Sequence, residues 1–155
     1  MDEDDDVAPT PGDVTFVVEV EPDLAEVVEV RRRAIGEMEA VGHPTPGLQD
    51  LAVVLSELLT NAVESGTTMP IGLDLRAAAG RAQVVVTNAV GEADVPPRRE
   101  WSPDTLLAAR GRGLSVVEAM SQDVFVEHGD GEVVVRALVP LSDMSSPAGR
   151  RQRRV

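Results

Sequence analysis

Four short strand-like runs in this chain come as two pairs, and each pair is separated by only a few residues that include glycine. Residues 71–78 and 81–87 flank Gly80, and residues 124–127 and 132–139 flank His128-Gly129-Asp130-Gly131. Such runs, closed by glycine that tolerates positive φ, read as β-hairpins. A chain committed to two hairpins must cover the apolar face of the sheet they build, and that demand selects a layered fold.

The covering layer is legible in the remaining segments. Val14-Thr15-Phe16-Val17-Val18-Glu19-Val20 reads as a further strand bounded by Gly12 and Pro22. Pro22 and Asp23 open a helix to about Val41, whose apolar positions include Leu24, Val27, Val28, Ile35 and Met38. After the turn Gly42-His43-Pro44, Thr45 is expected as an N-cap with Pro46 at the first helical position. The helix over residues 46–65 carries Leu48, Leu51, Ala52, Leu55, Leu58, Leu59 and Ala62 on one broad face and stops at Gly66. A long loop with Pro96, Pro97 and Pro103 leads to Gly111-Arg112-Gly113 and a helix over residues 114–120. The order β-α-α-β-β-loop-α-β-β predicts an α+β chain: a two-layer α/β sandwich, its sheet mixed but mostly antiparallel, with helices on one face. Aromatic residues are 2% of the chain, so Val, Leu, Ala and Ile must build the core.

Residues 13–141 are expected to form one folded unit, between a disordered acidic tail (residues 1–12) and a disordered basic tail (residues 142–155). The net charge of -13 disfavours direct nucleic-acid binding. The start Met1-Asp2-Glu3-Asp4-Asp5-Asp6 is unlike a signal peptide, and no run approaches the roughly 18 apolar residues of a membrane span, so a cytoplasmic location is expected. There is no cysteine, hence no disulfide, thiolate metal site or thiol nucleophile. All fourteen basic residues are arginine. Without lysine, neither a P-loop nor a eukaryotic-type protein kinase site can be built.

Chemistry concentrates in two places. In Ser56-Glu57-Leu58-Leu59-Thr60-Asn61-Ala62, Glu57 and Asn61 stand one helical turn apart. With Glu64 they are expected to form a polar stripe opposite the leucine face. An amide oxygen there can ligate Mg²⁺ that already holds phosphates, and a carboxylate can take a proton from an attacking hydroxyl. On their own, a Glu and an Asn on a helix more often face solvent. Downstream, Gly111-Arg112-Gly113-Leu114 precedes a helix, where backbone N–H groups and Arg110 and Arg112 can meet phosphate; alone, such a pair of glycines is an ordinary turn. His43 and His128 read as surface turn residues, and two isolated histidines make no metal site. Asp104, Asp123 and Asp130 read as turn or cap residues.

Taken together, Glu57-x-x-x-Asn61, a strand pair, a long loop and Gly111-x-Gly113-Leu114 resemble the N box and G2 box of the histidine-kinase-like ATPases. The string Val54-Leu55-Ser56-Glu57-Leu58-Leu59-Thr60-Asn61-Ala62 is similar to the single-domain anti-sigma factor serine kinases among them. The resemblance spans about residues 13–141 and implies the Bergerat α/β sandwich. It implies Glu57 as catalytic base and Asn61 as Mg²⁺ ligand, with Arg110, Gly111, Arg112, Gly113 and Leu114 around the ATP phosphates. It also implies residues 90–110, with Trp101, as an ATP lid. As partners it implies a sigma factor, a STAS-type anti-anti-sigma protein that is phosphorylated on serine, and a second copy in a homodimer.

The pattern is broken at two positions. Asn88 stands where the family places the aspartate that binds the adenine amine, with Val90 and Gly91 near the expected glycine; Ser65 replaces a histidine near the end of the N-box helix. Asn88 keeps a carbonyl acceptor for the amine but not the charge. A non-catalytic protein-binding regulator on the same fold, with weakened nucleotide binding, is therefore the competing expectation. A detached ATPase domain of the gyrase or chaperone type ranks below both.

Overall fold

The computed structural model describes residues 12–89, 113–129 and 131–141. The expectations for both tails, the 90–110 lid, Trp101, Asp104, Arg110, Gly111, Arg112 and Asp130 lie outside these residues, Gly12 excepted. The elements run β1 (Val14–Val20), α1 (Leu24–Ala40), α2 (Thr45–Glu64), β2 (Ile71–Ala78), β3 (Arg81–Ala89), α3 (Gly113–Met120), β4 (Asp123–Gly129) and β5 (Glu132–Pro140). They form a five-stranded sheet in the order β1-β2-β3-β5-β4, every pairing antiparallel. Both expected hairpins are present, and β5 slots between β3 and its own hairpin partner.

Period-two alternation gives the sheet one apolar face. Ile71, Leu73, Leu75 and Ala77 of β2, Ala82, Val84 and Val86 of β3, and Val133, Val135, Ala137 and Val139 of β5 are all buried. Against them α2 lays Leu48, Leu51, Val54, Leu55, Leu58, Leu59 and Ala62. The buried stripe of α1 is Val27, Val30, Ala34 and Met38. Leu24 and Val28, expected among its apolar positions, are each 52% exposed. They lie on a neighbouring strip of α1, beyond the contact with α2 and β1.

Two polar contacts fix α1 against its neighbours. The Arg31 guanidinium donates to the Ser56 hydroxyl of α2 at 2.6 Å, and Arg33 stands 5.5 Å from the centroid of the Phe16 ring on β1. At the other end of α2, a Cβ on Gly47 would come within 2.8 Å of the Leu141 backbone. The first turn of α2 is therefore pressed onto the chain leaving β5, at a distance only glycine permits.

Local chemistry differs from expectation at two ends. The residue that precedes α2 is Pro44, in extended conformation, and its carbonyl accepts the first helical bond from Leu48 N–H at 3.2 Å. Thr45 is already helical, makes no cap, and moves Pro46 to the second position. Asp23 does cap α1, its carboxylate accepting from Ala25 N–H at 3.0 Å. His128 is not in a turn but in β4, opposite Val133, because that hairpin closes on fewer residues than the glycines suggested. His43 stays in its turn, where Nε2 bonds the Gly12 carbonyl at 2.7 Å and so must carry its proton.

The β2–β3 turn carries a measurable strain. Ala78 pairs with Arg81, leaving Ala79 and Gly80 as the two turn residues, with φ of 55° and 77°. Two positive φ values define a type I′ turn, which suits Asn-Gly far better than Ala-Gly. Ala79→Asn is expected to stabilise the fold by about 1 kcal/mol, read as a higher urea midpoint at unchanged slope.

Candidate functional site

The end of α2 and the end of β3 meet at one cleft. Leu58, Asn61, Ala62 and Ser65 line it from α2 and the residue after it, and Val86, Asn88 and Val135 line it from the sheet. Asn61 lies three residues from Leu58 and one from Ala62, so helical geometry turns it toward the sheet at the border of the leucine face. It is only 9% exposed. The expected stripe opposite the leucines is thus divided: Glu64 is exposed, Glu57 is half-buried, and Asn61 belongs to the interior.

β3 continues to Ala89, two residues beyond the expected strand, and this extension places Asn88 on the buried face opposite Val133. Asn88 is 6% exposed and, with Asn61, is one of two buried polar side chains among the described residues. Its Nδ2 donates to the Ser65 hydroxyl at 3.1 Å and to the Ala89 carbonyl at 3.2 Å. Ser65 in turn donates its single proton to the Ala62 carbonyl at 2.7 Å. The two positions that depart from the expected pattern, 65 and 88, therefore touch each other.

Asn61 is handled differently. Its Nδ2 is buried and has no hydrogen-bond partner among the described residues. An orphan of this kind costs about 1–3 kcal/mol. The free space beside it is about 10 Å³, room for a single water. Glu57, one turn earlier, makes no hydrogen bond or ion pair with any described residue. Gly113 and Leu114 open α3, which packs against α2, β4 and β5.

Among the described residues no cluster of three or more His, Asp or Glu could hold a metal ion unaided. A hard cation that brings phosphate and water oxygens needs only one or two protein oxygens, and the Asn61 amide supplies one of the right kind. Leu58, Ala62, Val86 and Val135 bring apolar side chains and Asn88 a directional polar group to this cleft, and the space now between them admits a water and not a ring.

Residues 20–138 match the family described as the histidine kinase-like ATPase domain. No curated protein sequence matches significantly. Among solved structures, the fold is similar to the RsbU and RsbW domains of Rv1364c from Mycobacterium tuberculosis. The TM-score is 0.63 at 21% identity, over 88% of this chain and 34% of that one. It is also similar to a chain of the SiaB–SiaC complex from Pseudomonas aeruginosa, with a TM-score of 0.63 at 12% identity over 83% and 90% of the two chains. The chain thus spans about a third of the mycobacterial two-domain chain and most of the pseudomonad one.

Proposed function

The chain belongs to the histidine kinase-like ATPase domain family, and we propose that it is a cytoplasmic bacterial anti-sigma regulator. In this reading it binds Mg–ATP, sequesters a sigma factor and phosphorylates a serine of a STAS-type anti-anti-sigma protein. One observation carries it: Asn61 of α2 and Asn88 of β3 line a single cleft, and Glu57, without a hydrogen-bond or ion-pair partner among the described residues, stands one turn from Asn61. The shared fold of an RsbW domain and of a chain from a two-protein complex supports a partner-binding role. Among the described residues no helix is long and apolar enough to cross a membrane.

The roles follow from the groups. When bound, Mg–ATP supplies the phosphoryl group and the cation that offsets its charge. The Asn61 Oδ1 would hold the cation. With the cleft widened to admit adenine, the Asn88 Oδ1 would accept from its 6-amino group and the apolar side chains would flank the ring. The Glu57 carboxylate would accept the proton of the attacking serine hydroxyl. Backbone N–H groups at Gly111 to Leu114 would bind phosphate oxygens, helped by Arg110 and Arg112.

The competing reading, a non-catalytic protein-binding regulator, draws on Asn88, whose neutral amide binds an amine less strongly than a carboxylate. Calorimetric titration with Mg–ATP, then mass spectrometry of a STAS-type partner incubated with both, separates the two. Saturable binding followed by phosphoserine on the partner is expected. Binding of the partner without phosphoserine would leave the non-catalytic regulator, and no binding at millimolar Mg–ATP would remove ATP from the account.

A further inference from the structure

Asparagine differs from aspartate in a way that reaches beyond charge: its side chain has two different ends. An Asp offers an acceptor whichever oxygen faces the ligand, whereas an Asn offers an acceptor or a donor according to how its amide is turned. A purine with a 6-amino group needs the acceptor, and one with a 6-oxo group needs the donor. In this chain the purine preference therefore depends on whatever orients the Asn88 amide.

The hydrogen bonds around Asn88 settle that orientation. The Ala89 carbonyl, 3.2 Å from Nδ2, can only accept. The Ser65 hydroxyl has one proton and spends it on the Ala62 carbonyl at 2.7 Å, so toward Asn88, at 3.1 Å, it too accepts. Both neighbours demand N–H, and both amide protons are engaged. Turning the amide over would set Oδ1 against the Ala89 carbonyl and would force Ser65 to abandon Ala62. With both protons of Nδ2 engaged, Oδ1 is the atom of this amide left without a partner among the described residues.

We propose that Ser65 is the positioning residue that holds the Asn88 amide with its oxygen toward the nucleotide, making the cleft selective for 6-amino over 6-oxo purine nucleotides. Ser65 is the only side chain bonded to Asn88 among the described residues, so it is the replaceable half of the clamp. The proposal rests on the assignment of this cleft as the nucleotide site.

The test uses the full chain and calorimetric titration with Mg–ATP and Mg–ITP, which differ at position 6 of the base. Wild type is expected to prefer ATP. Ser65→Ala is expected to lower the ATP/ITP affinity ratio roughly three- to ten-fold, the worth of one hydrogen bond. Ser65→Thr, which keeps the hydroxyl, is expected to preserve the ratio. In an Asn88→Asp background, where orientation no longer matters, Ser65→Ala is expected to leave the ratio unchanged. A Ser65→Ala variant that weakens ATP and ITP equally would overturn the positioning role and leave the nucleotide site standing. Failure of wild type to bind either nucleotide would remove the site assignment itself, and the proposal with it.

Discussion

Glu57→Ala is expected to lower serine phosphorylation of a STAS-type partner by about 10²–10⁴-fold, the range for loss of a positioned general base. Affinity for Mg–ATP should stay within about two-fold, because a residue that acts only on the attacking hydroxyl affects the transition state and not nucleotide binding. The fold should be little changed. Glu57 is half-buried and engages no described residue, and substitutions at such positions usually shift stability by less than about 0.5 kcal/mol. Single-turnover phosphoryl transfer, paired with calorimetry on the same preparation, reads both quantities. If ATP affinity falls in step with the rate, Glu57 holds the nucleotide and the base must be sought elsewhere. Glu57→Gln, which keeps the shape and removes the basic oxygen, should behave as Glu57→Ala does.

Asn61→Leu is expected to do two opposite things. It should abolish Mg²⁺-dependent ATP binding, since no oxygen remains at that position. It should also raise stability in the absence of nucleotide by about 1–2 kcal/mol, or roughly 3–6 °C in melting midpoint for a domain of this size. The second effect follows from the orphan Nδ2: a polar group without a partner gives way to an apolar side chain among Leu58, Ala62, Val86 and Val135. Binding sites commonly carry such a stability cost. A lower melting midpoint for Asn61→Leu would mean that Nδ2 is satisfied in solution, by the single water the adjacent space admits, and that Asn61 belongs to the scaffold as much as to the site.

Local rules made the architecture readable. Gly80 and Gly131 marked both hairpins, and the leucine spacing of α2 named its buried face almost residue by residue. What escaped the sequence was whatever a neighbour decides. Leu24 and Val28 are as apolar as Val27 and Val30, yet only contact with α2 and β1 selects the strip of α1 that is covered. Thr45 has good capping chemistry, but the carbonyl of Pro44 opens the helix one residue earlier. Asn61 reads as polar and so as outward-facing, although β3 and β5 close over it. Motif spacing brought Glu57 and Asn61 together, since one helix turn joins them. The Ser65–Asn88 bond joins residues on separate elements, and no periodicity encodes it.

The insertion of β5 beside β3 has a consequence for how the protein is made. Ala89 pairs with Glu132, so β3 leaves the ribosome some 40 residues before the strand that completes it. At roughly 5–20 residues per second, β3 waits a few seconds with one row of backbone N–H and C=O groups unpaired. Throughout that interval the β3 edge that carries Val84 and Val86 lacks the strand that pairs with it in the finished sheet. Strand edges of this kind recruit whatever strand arrives first. Ribosomes crowded on one message would bring several such edges together, so slower initiation is expected to raise the soluble yield of this protein.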